Sequence, residues 1–176
     1  PERKKFCKTI VLIREPVSWL KSEILRQEGT QRLNRYFEKE MSLDEFFVLD
    51  KKHNRLSRYK NFLNSWKKRK IASNENKSIS VEIIDLDFIK FNTLEYLKFL
   101  NNYFQYNFTN EQMNKAVELL DYNRISSMLP KKSIRISREK IKLSKQVLDY
   151  VKSKCEPEYL EIKALTKHNF IKNPNK

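Results

Sequence analysis

The chain has 176 residues, enough for one domain with a real core and too few for two comfortable ones. Charged residues make up 34% and the net charge is +15, which points to anionic partners: nucleotides, sulfated or carboxylated glycans, nucleic acid or an anionic membrane surface. With 12% aromatics and clear apolar periodicity it does not read as a disordered polycation. No apolar run approaches the roughly 20 residues that span a bilayer, and no signal peptide is visible. The sequence opens on Pro1, as expected of a processed or truncated piece in which an upstream membrane anchor would not be seen. A cytoplasmic setting is the expectation. Cys7 and Cys155 lack metal-ligand spacing and are expected as thiols rather than as a bridge.

Residues 1–8 are basic. Residues 9–13, Thr-Ile-Val-Leu-Ile, form a β-branched run that changes character at Arg14-Glu15-Pro16. Beyond it Val17, Leu20 and Ile24 recur at helical spacing, so residues 9–26 read as strand, turn and helix. Pro16 suits the first helical position, where its missing N–H would be unpaired anyway, and it biases Glu15 away from helix. Arg14 therefore stands at a strand end beside a helix N-terminus, a place where phosphate can bind. Gly29, the only glycine in the chain, is expected to end that helix.

Residues 31–40 suggest a short polar helix with Leu33 and Phe37 inward. Ser42-Leu43-Asp44-Glu45 has the form of a capping box and opens a brief helix with Phe46, Phe47 and Leu49. Residues 51–55 read as a charged loop. Residues 56–71 form a helix whose Tyr59, Phe62, Leu63 and Trp66 make one apolar stripe opposite Lys60, Lys67, Lys68 and Arg69. After a polar loop at 72–77, residues 79–86 are the second strand. Asn92-Thr93-Leu94-Glu95 repeats the capping-box form ahead of a helix with Leu94, Leu97, Leu100 and Phe104 facing a core. Thr109 begins another helix, through Met113, Val117 and Leu120. Residues 122–136 read as an extended basic loop, 137–154 as a long amphipathic helix, and Pro157 as the start of the last one. The tail, 167–176, is polar and expected to be disordered. Two apolar strands separated by helices imply a parallel pair. A parallel sheet needs both faces covered and usually more than two strands, so part of the sheet is expected upstream.

The pattern Arg14-Glu15-Pro16 followed by Ser22, eight residues after the arginine, resembles the 3′-phosphate-binding motif of sulfotransferases that use 3′-phosphoadenosine 5′-phosphosulfate (PAPS). Arg58-Tyr59, Leu63 and Trp66 resemble that family's helix with a tyrosine and a tryptophan ahead of the next strand. Residues 81–88 resemble its apolar strand with an acidic end, with Leu86-Asp87-Phe88 where Glu-Asp-Leu is usual, and residues 94–104 resemble the helix that follows. The likeness runs from about residue 9 to 104, with a vaguer helical match through 165. It implies an α/β, P-loop-like parallel sheet with flanking helices, incomplete at the N-terminus and helix-rich in its C-terminal half. It implies a single domain over 1–166, and Arg14 and Ser22 holding the 3′-phosphate of the co-substrate.

The family's loop for the 5′-phosphosulfate is rich in Gly, Ser, Thr and Lys or Arg, because backbone N–H groups must approach phosphate oxygens closely there. Gly29 follows a helical pattern and cannot supply it, so the chain as given is expected to be inactive, and the resemblance carries over no catalytic residue. His53, within Lys51-Lys52-His53-Asn54-Arg55, and His168, in the tail, are read as exposed and incidental, with no companion at metal-ligand spacing. Residues 131–135 stand where some members have a basic loop over the nucleotide, and a solvated charged loop is the plainer reading. Tyr59, Phe62 and Trp66 are expected as core rather than as a base-stacking platform. Asp85 and Asp87 fall on one face of a strand end, where a structural role is favoured over acid/base work.

The function expected is transfer of a sulfuryl group from PAPS to a hydroxyl or amine acceptor, with an acidic glycan suited to the positive charge, no nucleic-acid partner and no metal. The alternatives are a basic nucleic-acid-binding helical domain and a catalytically inactive sulfotransferase-like interaction module.

Overall fold

A computed structural model of the chain describes residues 7–32, 40–75, 78–119 and 141–166, with the backbone alone at 25–32, 52 and 53. The described residues fall into two compact units, one within 1–85 and 136–176 and the other within 86–135. The architecture is mixed α/β and mostly helical, with a parallel two-stranded sheet among the described residues.

In the first unit, β1 (Cys7–Ile13) pairs in parallel with β2 (Ile79–Asp85), in a register running from Cys7↔Ile79 to Ile13↔Asp85. β2 is buried continuously from Val81 to Asp85, as a parallel strand covered on both faces should be. β1 alternates instead: Val11 and Ile13 are buried while Leu12 is exposed. Helix α1 (Pro16–Arg32) begins on its proline, as the sequence indicates. It does not stop at Gly29. A glycine ends a helix only where its backbone turns left-handed, and inside one it costs only about 1 kcal/mol relative to alanine.

Helix α2 (Leu43–His53) is opened by the expected capping box: Ser42 Oγ accepts from the Glu45 N–H at 3.3 Å, and Glu45 Oε2 accepts from the Ser42 N–H at 2.9 Å. The charged loop expected at 51–55 is a single residue. Asn54 takes a left-handed conformation, φ 46° and ψ 41°, and α3 (Arg55–Glu75) follows at once. Asparagine tolerates this region better than most residues, so one position suffices to break the helix. Asp50 Oδ1 then accepts the Leu56 N–H at 3.0 Å and satisfies one of the orphan donors of α3.

Residues 141–143 lead into the last helix of this unit rather than belonging to it. Leu143 bridges to Met41, and Ser144 caps α7 (Lys145–Ala164) by accepting from the Val147 N–H at 3.3 Å. The two helices expected on either side of Pro157 are one helix with the proline inside it. Val147, Val151, Cys155, Tyr159 and Ile162 are all buried, at spacings of four, four, four and three. That unbroken apolar stripe outweighs the hydrogen bond that Pro157 removes. α3 and α7 pack together, both meet β2, and α1 packs on α7. Leu20, Ile24, Phe46, Leu56, Leu63, Ile83, Val147 and Ile162 lie in the shared core.

The second unit opens with α4 (Leu86–Phe91), directly after β2, where the sequence suggested a continuing strand end. Asp87 lies in its first turn, where a carboxylate is favourable, so Asp85 and Asp87 do not share a strand face. In α5 (Thr93–Phe104) the expected capping box does not form. The Asn92 amide donates instead to the Phe88 carbonyl at 3.1 Å, and Thr93 Oγ1 to that of Ile89 at 3.0 Å. Leu94, Leu97, Leu100 and Phe104 are half-buried rather than enclosed. Helix α6 (Asn110–Leu119) carries an unforeseen cap of the same kind: Thr109 and Gln112 bond each other's N–H groups through their side chains, at 2.9 and 3.2 Å. Residues 33–39, the basic loop 122–136, the segment 137–140 and the tail 167–176 lie outside the described residues.

Candidate functional site

The ladder ends at Ile13↔Asp85, so Asp85 closes β2 at its carboxyl end and Arg14 follows one residue beyond the carboxyl end of β1. Ligands of open α/β sheets bind at this edge, because strand ends there give way to helix N-termini. Around Arg14 the chain folds back on itself locally. Glu15 caps α1, accepting from the Val17 N–H at 2.9 Å and the Ser18 N–H at 2.6 Å. The free N–H groups that made this helix start an anion site are therefore partly taken by the protein's own carboxylate.

The guanidinium faces the second turn of α1. Arg14 Nη1 donates to Ser22 Oγ at 2.8 Å, and that hydroxyl donates to the Ser18 carbonyl at 2.9 Å. The sequence spacing of eight has thus become a direct contact. Arg14 Nε is buried and has no hydrogen-bond partner. An unpaired buried donor costs about 1–3 kcal/mol, and such groups are rare enough to need a reason.

One further element closes on this pair. Tyr59, on α3, donates its hydroxyl to the Arg14 carbonyl, and its ring stacks on Trp19 with centroids 4.1 Å apart and planes 10° from parallel. Burial pushes its phenol far above the usual value, and the nearby charges of Asp85 and Glu15 add to the rise, so it acts as a donor at all ordinary pH. At the end of β2, Asp85 Oδ2 accepts from the Tyr159 hydroxyl and lies 2.9 Å from Lys163 Nζ, which also reaches the Tyr159 oxygen at 3.2 Å. Asp85 and Tyr159 are buried, and Lys163 is partly exposed.

Of the expected site residues, Arg14 and Ser22 are brought together. Tyr59 is core, as expected, but Phe62 is partly exposed, and Trp66 packs at the edge of the core under the Arg69 guanidinium, 4.8 Å from its ring centre. Asp85 has a structural ion pair, as expected. The side chain of His53, the basic loop 131–135 and His168 lie outside the described residues. Cys7 and Cys155 are free thiols, and burial pushes that of Cys155 up to about 11. Among the described residues no cluster of His, Cys, Asp or Glu could hold a metal ion, and no helix is long and apolar enough to cross a membrane.

Sequence reasoning missed the parts played by Glu15, Ser18, Tyr159 and Lys163. Only the last two carried a signal, a tyrosine and a lysine four residues apart on one helical face. Neither a family model, nor a curated protein, nor a solved structure matches the chain.

Proposed function

We propose that this chain is a sulfotransferase-like domain, part of a P-loop-like α/β fold, whose Arg14 and Ser22 hold the 3′-phosphate of PAPS. The observation that carries the reading is the Arg14–Ser22 contact at 2.8 Å beside an Arg14 Nε that is buried without a partner. A phosphate oxygen would accept from Nε once the groups covering it moved aside, and a second would accept a hydrogen bond from the Ser22 hydroxyl once it turned from the Ser18 carbonyl. Arginine suits this task because its donors form a fixed fork that matches a tetrahedral oxyanion.

In the reaction, the acceptor hydroxyl or amine attacks sulfur in line, the bond from sulfur to the phosphate oxygen breaks, and the acceptor loses its proton. Adenosine 3′,5′-bisphosphate leaves. Positioning and charge stabilisation are the protein's main contributions, as in phosphoryl transfer. The single glycine lies in α1, so these residues contribute the nucleotide clamp and not the loop that would grip the phosphosulfate. The net charge of +15 suits an acidic glycan among the acceptors.

Calorimetric titration tests the reading with two ligands, adenosine 3′-monophosphate and adenosine 5′-monophosphate. Saturable one-to-one binding of the 3′ isomer is expected, weakened about 10- to 100-fold by Arg14→Ala. Equal binding of both isomers, or binding that collapses with salt as over many phosphates, would instead indicate a general polyanion surface.

A further inference from the structure

Tyr59 has a part that core packing alone does not require. It is 4% exposed, and a phenylalanine would fill the same space, yet its hydroxyl is spent on one particular acceptor, the carbonyl of Arg14. Arg14 lies one residue beyond the strand ladder, so the sheet does not hold its backbone. The ring of Tyr59 meanwhile stacks on Trp19, in the first turns of α1 between Ser18 and Ser22. The Trp19 backbone N–H donates to the Glu15 carbonyl at 2.8 Å, and the Ser18 carbonyl accepts from the Ser22 hydroxyl. One side chain from α3, 45 residues further along the chain, thus touches both the residue that bears the guanidinium and the helix that bears the serine.

We propose that Tyr59 is a positioning residue of the Arg14–Ser22 clamp, its hydroxyl fixing the Arg14 backbone and its ring fixing α1. This rests on the phosphate reading above and adds to it the element that sets the geometry. Arg14 has a long, rotatable side chain, and a fork of donors gains its affinity only when the backbone beneath it and the partner hydroxyl stand in a fixed relation. Burial holds the phenol protonated across the ordinary pH range, so the hydroxyl remains a donor there.

Tyr59→Phe keeps the ring and removes the donor, whereas Trp19→Leu keeps the donor and removes the stack. Each is titrated with adenosine 3′-monophosphate well below its melting temperature, beside the wild type. A merely structural role would lower the melting temperature and leave the dissociation constant of the folded protein unchanged. The proposal expects the constant to rise about 3- to 10-fold in Tyr59→Phe, the range of one hydrogen bond acting through its neighbour, and to rise in Trp19→Leu as well. An unchanged constant in whichever variant folds overturns the positioning role while leaving the clamp standing. A wild type that binds no 3′-phosphate overturns the clamp itself, and Tyr59's role with it.

Discussion

Lys70 on α3 and Glu82 on β2 form an ion pair, Nζ to Oε2 3.2 Å, that water scarcely reaches: the residues are 4% and 8% exposed. Lys70 also donates to the Val81 carbonyl at 2.6 Å, so α3 is pinned to the strand by charge as well as by packing. The same helix carries Tyr59. Lys70→Met removes this pair together with the bond to the Val81 carbonyl and should cost about 1–3 kcal/mol in urea unfolding. Lys70→Met with Glu82→Leu should recover part of that loss, because neither residue then carries a charge into the core.

The Ser42–Glu45 capping box opens α2 at the surface. Ser42→Ala removes the acceptor for the Glu45 N–H and should destabilise the chain by about 1 kcal/mol. In a protein of this size that lowers the melting temperature by roughly 2–4 °C. Glu45→Gln, which keeps the reciprocal bond possible, should cost less in the same melt.

Glu158 on α7 and Lys60 on α3 lie 2.7 Å apart. Burial works to raise the Glu158 carboxyl, but the Lys60 hydrogen bond and the charges of Lys60 and Lys67 outweigh it and hold the carboxyl below its usual value. The Lys60 amine is raised, chiefly by its hydrogen bond to Glu158. A depressed carboxyl contributes stability above its unfolded value, about 4.3, and loses it as pH falls through the lower folded one. A raised amine contributes below its unfolded value, about 10.4, and loses it as pH rises through the higher folded one. The melting-temperature gap between the wild type and Glu158→Gln should therefore be flat at neutral pH and shrink below about pH 4 and above about pH 10.5.

Cys7 is exposed and Cys155 fully buried, with its Sγ directed at the Leu56 carbonyl at 3.7 Å. Its thiol, pushed up to about 11 by burial, is protonated and inaccessible at pH 8. A thiol-specific disulfide reagent at that pH should titrate one thiol in the native protein and two after unfolding in urea.

What the sequence discloses here is local. The strand-proline-helix unit at 9–26 reads directly because a β-branched run, Pro16 and the Leu20–Ile24 spacing all act within a few residues of one another, and the Ser42 capping box does so for the same reason. Asn54 and Pro157 mislead in opposite directions. A run of charges hides how little chain a left-handed asparagine needs to turn, and a proline looks like a boundary until the buried stripe on both sides is seen to be continuous. In the site, the Arg14–Ser22 spacing is legible because both ends belong to one strand-helix unit. The contacts of Tyr59 with Arg14 and of Asp85 with Tyr159 and Lys163 span 45 and 74 residues or more, and no local pattern encodes such pairings.

The measurement that bears most directly on the clamp is the Nε–H resonance of Arg14, followed by nitrogen-15 NMR and assigned by its absence in Arg14→Lys. That donor is buried and unpartnered. Titration with adenosine 3′-monophosphate should move the peak progressively to saturation, with adenosine 5′-monophosphate leaving it in place. A peak that stays fixed with the 3′ isomer, or moves equally with both, would contradict the assignment of Arg14 and Ser22 to a 3′-phosphate.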